Sequence, residues 1–184
     1  MNDESTLRLH LGCGRHYRSG WVNIDVDRNV HADIYQDISN HKDFPLRSDD
    51  GTLTVDPGSV DSIDCNHVLE HVPDLISFMR GARDLLKVGG IFNISVPYDL
   101  SYGAWQDPTH VRAFNERSWI YYGEWCWYLG WRDYAFKQVS LNLDLSDSGV
   151  ELKENGASQQ TVISTPRAVD QIRVTLEKVA IAKN

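Results

Sequence analysis

The stretch Leu7-Arg-Leu-His-Leu-Gly-Cys-Gly14 decides the fold. Its leucines alternate with polar residues, which is the period of a half-buried strand, and the alternation stops at Gly12. Glycine at positions 12 and 14 lets the backbone turn sharply and approach a ligand closely. The pattern predicts the first strand of an α/β sheet followed by a glycine turn. An ordinary strand-to-helix turn with no ligand is the alternative at this point.

An acid follows the next strand. Residues 21–26 alternate in the same way, and Asp25 lies in this segment 11 residues after Gly14. In nucleotide-binding α/β folds an acid at the end of the second strand hydrogen-bonds ribose hydroxyls. Asp27 is the rival for this role, but we favour Asp25 for its position in the strand and interpret Asp27 as a solvated strand end. A glycine turn plus an acid also fits a nicotinamide-dependent enzyme.

Three more strands and a helix complete the first half of the chain. Residues 75–86 place apolar side chains at helical spacing, with Asp74 at the start and Gly89-Gly90 after the end. A strand–helix–strand order with a short return predicts a parallel sheet. The predicted strands are Ala32–Ile38, Val60–Cys65 and Ile91–Val96.

The second half has a different character. Residues 98–136 hold 13 of the 19 aromatic residues. We expect most of them to form core or a subunit interface, and Tyr98, Tyr102 and Trp105 to face a substrate. The patterns predict a helix over 115–128 and strands over 135–145 and 171–182. Residues 146–170 are polar and receive no assignment.

Composition narrows the function. The 184 residues suffice for one domain, and 18 basic against 26 acidic residues give a net charge of −8. This balance argues against a broad nucleic-acid or anionic-membrane surface. The chain lacks a membrane-length apolar run, its N-terminus is acidic, and Cys13, Cys65 and Cys126 are widely spaced, so we expect reduced thiols in a cytoplasmic protein.

Six segments, taken in order, resemble the class I S-adenosylmethionine-dependent methyltransferases of the small, single-domain, type 11-like kind. The resemblance implies a Rossmann-like, doubly wound, seven-stranded sheet of order 3-2-1-4-5-7-6 with the last strand antiparallel. It divides the single domain, residues 1–184, into a cofactor-binding half, 7–97, and a substrate-side half, 98–184. The segments are Leu11-Gly-Cys-Gly14, Gly20-Trp-Val-Asn-Ile-Asp25, Ala32-Asp-Ile-Tyr-Gln-Asp-Ile38, Gly58-Ser-Val-Asp-Ser-Ile-Asp64, His67-Val-Leu-Glu-His71 and Leu85-Leu-Lys-Val-Gly-Gly90.

The resemblance also implies roles for individual residues in methyl transfer from S-adenosylmethionine. The acceptor is unknown, and a small molecule or a saccharide hydroxyl is our first expectation. A catalytically lapsed cofactor-binding or assembly module on the same fold is the alternative. The implied contacts are the methionine moiety for Gly12, Cys13 and Gly14, the ribose for Asp25, the adenine for Asp37 and the Ile38 backbone, and the sulfonium side for Asn66 and His67.

One departure from the family affects the fold. The usual third glycine is missing, and only Arg15–Gly20 separates the turn from Trp21. The first helix is therefore expected to be truncated or absent. This leaves one sheet face to be covered by something else, such as a partner subunit, and makes a homo-oligomer plausible.

The string His67-Val-Leu-Glu70-His71 has the form H-x-x-E-H of inverted zinc peptidases, so a metallohydrolase using His67 and His71 is a remote alternative. Some methyltransferases carry carboxylates and histidines near this position and use a divalent ion. Here that set would be Glu70, His71 and His110, with His67 in place of the family's first glutamate. We favour a structural hydrogen bond for His71 over this metal site.

The loop Gln106–Asn115 follows the fifth predicted strand, on the edge where α/β sheets bind ligands. Histidine is the side chain whose ordinary charge change falls near neutral pH, so His110 is the candidate general base, with Asp107 to orient it. Arg112 is a candidate for holding an anionic group. The alternative is an Asp-Pro-Thr turn capped by Asp107.

Overall fold

The computed structural model describes residues 6–182. Its strands are β1 (Arg8–Leu11), β2 (Val22–Ile24), β3 (Leu46–Arg47), β4 (Thr54–Val55), β5 (Val60–Asn66), β6 (Leu86–Pro97), β7 (Tyr134–Leu145) and β8 (Val169–Ala180).

Six strands form the main sheet in the order β2-β1-β5-β6-β8-β7, while β3 and β4 form a separate hairpin. The pairs among β2, β1, β5 and β6 are parallel, and β8 is antiparallel to both of its neighbours. The six strands follow the predicted order without its first member, and the antiparallel last strand is confirmed. The predicted count of seven strands is wrong by one.

The missing strand is the one predicted at Ala32–Ile38. A single bridge between Ile24 and Ile34 remains in its place. The Asp33 carboxylate accepts the Asn23 backbone N–H at 2.7 Å. Because a side chain occupies this donor, the backbone ladder that the alternating pattern predicts is not propagated.

Helix α1 (Leu75–Leu85) confirms the predicted helix between β5 and β6. The Asp74 side chain caps it by accepting the Ser77 backbone N–H at 3.0 Å. Its buried face includes Phe78 and Met79, which pack into the same core as Phe92 of β6. Two short helices, α2 (Asp147–Glu154) and α3 (Gln159–Ser164), occupy the segment that the sequence left unassigned.

The prediction of a helix over 115–128 is wrong. The segment instead forms two 3-10 turns, Ile120–Tyr122 and Cys126–Leu129, separated by Gly123. A Cβ on Gly123 would lie 2.8 Å from the Phe136 carbonyl oxygen, so this close approach to β7 requires glycine. Glycine and aromatic residues disfavour a continuous helix, and packing against the sheet decides the conformation.

Residues 12–21 form turns, so the truncated first helix is confirmed. The sheet face that this helix would cover carries a row of polar side chains in register across five strands. The Asn93 amide donates to Asp64 at 2.9 Å, and the Thr175 hydroxyl donates to Asn93 at 3.1 Å. The row consists of Asn23, His10, Asp64, Asn93 and Thr175.

The Arg15–Gly20 connection partly replaces the helix. Arg18 donates to Asp64 at 2.6 Å and stacks over Trp21, with its guanidinium carbon 5.3 Å from the ring centroid. A polar, internally hydrogen-bonded face needs no apolar cover. The homo-oligomer stays a prediction, and this polar face, on which Asn23 and His10 are already buried, no longer supports it.

The remaining expectations concern membranes and thiols. Within residues 6–182, no helix combines the length and apolarity needed to span a bilayer. Cys13, Cys65 and Cys126 are free and buried, as expected for reduced thiols.

Candidate active site

A cavity of about 340 Å³ lies at the carboxyl ends of β1 and β2. In open α/β sheets ligands bind at this edge, where the strand order reverses, here between β1 and β5. Four residues predicted to contact the cofactor line it: Gly12, Asp25, Asp37 and Ile38. Its size falls in the usual range for small-molecule sites.

Asp25 has two local partners. One carboxylate oxygen accepts the Gly14 backbone N–H at 2.7 Å, and the other accepts the Asp27 N–H at 2.9 Å. Asp25 therefore fastens the glycine turn to the end of β2 while bordering the cavity. Its rival Asp27 instead caps a local turn by accepting the Asn29 N–H at 2.9 Å, and does not line the cavity.

Gly12 is required by its surroundings. Its φ is +63°, and a Cβ would lie 2.3 Å from Cγ2 of Val68. Val68 lines the cavity too, so the turn and the segment after β5 approach each other closely at its floor. Gly14 also has a positive φ, +49°, but nothing lies within 4 Å of its missing Cβ.

Asp37 and Ile38 also border the cavity. The Asp37 side chain is exposed and accepts the Ser39 backbone N–H at 2.8 Å, while Ile38 is buried. The Ile38 carbonyl packs against Gly81 of α1, where any Cβ would clash at 2.0 Å. This contact fixes the distance between the Asp37 turn and α1.

Other predicted cofactor residues lie outside the cavity. Cys13 is buried, its thiol points to the His31 carbonyl oxygen at 3.6 Å, and burial raises the pKa of this thiol to about 11. Gly14, Asn66 and His67 are likewise absent from the lining, although Asn66 ends β5 and His67 follows it directly. Their predicted cofactor contacts stay predictions.

Sequence reasoning missed the apolar wall. Val68, Val72, Pro73 and Phe78 also line the cavity. Their pattern is that of ordinary core, so only the position of Val68, Val72 and Pro73 between β5 and α1 offered a signal. His71, for which the sequence favoured a structural hydrogen bond, lines the cavity as well.

Two histidines meet beside this cavity. The 3-10 turn Leu69–His71 and the loop after β6 bring the His71 and His110 rings edge to face, with centroids 4.6 Å apart. The Val111 N–H donates to the Glu70 carbonyl at 2.8 Å, and Arg112 donates to the Val72 and Pro73 carbonyls. Arg112 thus holds the loop against the segment after β5. Its guanidinium group, the candidate for holding an anionic group, already donates to these carbonyls.

The Asp-Pro-Thr segment forms the capped turn that was the alternative interpretation. Asp107 accepts the Thr109 backbone N–H at 2.8 Å and its hydroxyl at 2.6 Å. The other Asp107 oxygen lies 4.0 Å from His110 Nε2. Asp107 therefore holds Thr109 in place and lies near His110 without a hydrogen bond to it. Their predicted catalytic roles stay predictions.

The metallohydrolase alternative does not fit the geometry. His67 has a left-handed backbone, with φ +53°, and His71 lies in a 3-10 turn, so no α-helix presents both rings on one face. His67 Nδ1 lies 3.3 Å from the Glu70 carboxylate, which raises the pKa of His67 above its ordinary value. The histidine that approaches His71 is His110.

A family model described as a methyltransferase domain matches residues 9–155. This chain is a member of that methyltransferase family. The resemblance to class I S-adenosylmethionine-dependent methyltransferases is thereby confirmed, and the nicotinamide alternative falls away. The cavity, with the acids Asp25 and Asp37 and the apolar wall in its lining, is accordingly a feature of a methyltransferase.

Solved structures support the fold assignment for this methyltransferase. A SAM-dependent methyltransferase from Archaeoglobus fulgidus superimposes with a TM-score of 0.57 at 14% identity, covering 95% of this chain and 86% of that one. An S-adenosylmethionine-dependent methyltransferase from Mesorhizobium loti gives 0.54 at 13% identity, covering 93% and 90%. At such identities the likeness shows the fold alone.

A curated relative matches a shorter stretch of the methyltransferase. The ubiquinone biosynthesis O-methyltransferase of Xanthomonas campestris pv. campestris strain B100 is 38% identical over 53 residues. The aligned part covers 29% of this chain and 22% of the relative.

Proposed function

We propose that the methyltransferase binds S-adenosylmethionine in the cavity at the ends of β1 and β2 and transfers its methyl group to a hydroxyl of a small molecule or saccharide. The observation that carries this proposal is the convergence of Gly12, Asp25, Asp37 and Ile38 on one cavity. Asp25 offers its carboxylate to ribose hydroxyls. The apolar side chains Val68 and Phe78 offer a wall for a flat ring.

The chemistry asks little of the protein. The sulfonium already makes the methyl carbon electrophilic, so alignment and the exclusion of water supply most of the rate. The acceptor oxygen attacks that carbon, the carbon–sulfur bond breaks, and S-adenosylhomocysteine leaves with the electron pair. The hydroxyl proton passes to a nearby group.

His71 and His110 supply groups on the acceptor side. His71 lines the cavity, and the His110 ring touches it. His110 donates its Nδ1 proton to the Ala104 carbonyl at 3.1 Å, which leaves Nε2 unprotonated and able to accept a proton. The loop that carries His110 also carries the exposed Trp105 ring, which suits stacking on a flat or sugar-like acceptor. The ring of Tyr102 is covered by Arg167, and Tyr98 is buried.

A hydroxyl acceptor is our choice for two reasons. Oxygen acceptors lose a proton on methylation, and this site offers an imidazole to take it. The relative from Xanthomonas campestris is described as an O-methyltransferase.

The test uses methyl-labelled S-adenosylmethionine with panels of phenols, saccharides, amines and thiols. We expect labelled methyl ethers and a matching yield of S-adenosylhomocysteine. His110→Ala should lower turnover at least tenfold while cofactor affinity stays nearly unchanged, since His110 does not line the cofactor cavity.

Three outcomes would contradict the proposal or one of its residue roles. Methylation confined to amines or thiols would overturn the hydroxyl acceptor. Cofactor binding with no product from any panel would favour the lapsed module, and equal loss of affinity and turnover in His110→Ala would assign that residue a structural role.

A further inference from the structure

Glu70 is a buried carboxylate whose ion-pair neighbour, His67, is half exposed to water. Its exposed fraction is 1%, and neither carboxylate oxygen has a hydrogen-bond partner among the described residues. Burying an ionised carboxylate costs several kcal/mol unless a partner compensates for the loss of water. The His67 imidazole is near, but its side chain is 52% exposed to water. His67, 3.3 Å from Oε1, therefore compensates only part of the buried charge, and Oε2 has no partner among the described residues.

His71 is oriented by a chain of hydrogen bonds. The Thr109 hydroxyl donates to the Asp107 carboxylate at 2.6 Å, so its oxygen is free to accept from His71 Nδ1 at 2.9 Å. A hydroxyl has one proton, and Thr109 donates it to Asp107 in this hydrogen bond. His71 must then carry its own proton on Nδ1, which leaves the Nε2 lone pair free.

His110 reaches the same state through a different partner. Its Nδ1 faces the Ala104 carbonyl, which only accepts, so the proton lies on Nδ1 and Nε2 is free. The His110 side chain is only 8% exposed to water. Two imidazoles thus have their Nδ1 atoms engaged by outer partners and their Nε2 atoms available, which is how proteins orient histidine metal ligands.

We propose that Glu70, His71 and His110 bind a divalent first-row transition metal, such as Zn²⁺, Mn²⁺ or Co²⁺. One ligand atom from each residue lies within 4.8 Å of the others. A single ion can reach all three with small side-chain movements. The ion would compensate the buried Glu70 charge and occupy both free Nε2 atoms.

The donor set selects the class of metal. Two imidazoles and one carboxylate suit Zn²⁺, Mn²⁺, Fe²⁺ or Co²⁺, whereas Mg²⁺ prefers oxygen ligands and retained water. His67, the next side chain to Glu70, also offers nitrogen and not oxygen. The site is therefore expected to discriminate against Mg²⁺.

Three protein ligands leave positions open for an outside oxygen. Because His71 also lines the cavity, an acceptor hydroxyl bound to the ion would lie beside the cofactor. A metal lowers the pKa of a bound hydroxyl, so with the ion bound His110 would act as a ligand and the proton would leave for solvent, whereas without the ion His110 itself would accept the proton. This use of the metal rests on the proposed methyl transfer, but metal binding itself does not.

The test is a titration of the full chain, freed of metal with a chelator, with Co²⁺ followed by visible absorption. We expect one Co²⁺ per chain, displacement by Zn²⁺, and no displacement by millimolar Mg²⁺. Glu70→Gln keeps the shape of the side chain and should weaken Co²⁺ binding at least tenfold. His31→Ala, a histidine outside the cluster, should leave the titration unchanged.

A positioning variant separates ligand orientation from general packing. Thr109→Val should weaken Co²⁺ binding about tenfold to a hundredfold because His71 loses its outer partner. Thr109→Ser, which restores the hydroxyl, should recover it.

Several results would overturn the inference. These are a wild-type chain that binds no Co²⁺, a Glu70→Gln chain that binds it equally well, and Mg²⁺ competing on equal terms. The shift of the unfolding temperature with S-adenosylhomocysteine is measured in parallel on every variant. If that shift persists while Co²⁺ binding is absent, only the metal site fails and the proposed function stands.

Discussion

Asp25 connects the glycine turn to the cofactor cavity. Its carboxylate accepts backbone N–H groups from Gly14 and Asp27 and still borders the cavity. The sequence predicted its position because strand register and the distance from the glycine turn are local properties. The local sequence does not reveal that the Cys13 side chain is buried, since this depends on the chain around His31 packing against it.

The first prediction concerns two neighbouring acids. Asp25→Ala should weaken S-adenosylhomocysteine binding at least tenfold, about 1.4 kcal/mol, because ribose contacts and the support of the turn are both lost. Asp27→Ala is the matched control, since Asp27 lies outside the cavity. Calorimetric titration measures both. Equal affinities of the wild type and Asp25→Ala would remove this residue from the site.

A second prediction compares the two glycines of the turn. Gly14→Ala should cost about 1–2 kcal/mol of unfolding free energy, the penalty of a left-handed backbone with a side chain. Gly12→Ala should cost more, because its Cβ would also meet Val68 at 2.3 Å. Urea unfolding measures both costs. Adding Val68→Ala should recover part of the Gly12→Ala loss, and no recovery would refute the proposed clash.

At the scale of elements, strands with strict alternation were predictable and segments controlled by distant contacts were not. β1, β5, β6 and α1 follow local periodicity, and all four were predicted. The strand expected near Ile34 is reduced to one bridge, because the backbone N–H of Asn23 donates to the Asp33 carboxylate and not to a neighbouring strand. The helix expected over 115–128 broke where Gly123 packs against β7.

The cap of α1 gives a pH-dependent prediction. The Ser77 N–H lowers the pKa of Asp74 below its ordinary value. The cap is thus fully stabilising above about pH 4, near the unfolded pKa, and is lost as pH falls through the lower folded value. Asp74→Ala should cost about 1 kcal/mol at neutral pH, and the difference should shrink in acid.

Asp74→Asn is the matched control for the cap. Asparagine caps helices about as well as aspartate but does not titrate, so its stability relative to Asp74→Ala should not vary with pH in this range. Urea unfolding between pH 3 and 7 measures all three chains. A constant difference between wild type and Asp74→Ala would contradict the role assigned to the carboxylate.

At the scale of the molecule, one sheet face packs against α1 and the aromatic block, and the other carries the polar row. The sequence predicted the missing helix but expected a partner to cover the exposed face. Polar residues of single strands look like ordinary solvent-facing positions. Only the register shows that Asp64, Asn93 and Thr175 join into one hydrogen-bonded row.

The candidate acceptor side was predictable only in its parts. His71 and His110 were each recognisable as chemically capable residues, 39 positions apart in the chain. Their meeting depends on the contacts of Arg112 and Val111 with the segment after β5, which no local pattern encodes.

The central claim is that the cavity at the ends of β1 and β2 binds S-adenosylmethionine. Thermal unfolding of the chain with S-adenosylmethionine, S-adenosylhomocysteine or NAD tests it most directly. A ligand at about 100 times its dissociation constant adds about 2.7 kcal/mol, which is about 5–11 °C for a domain of this size. We predict that shift with both S-adenosyl compounds and none with NAD. No shift with either S-adenosyl compound would contradict the account.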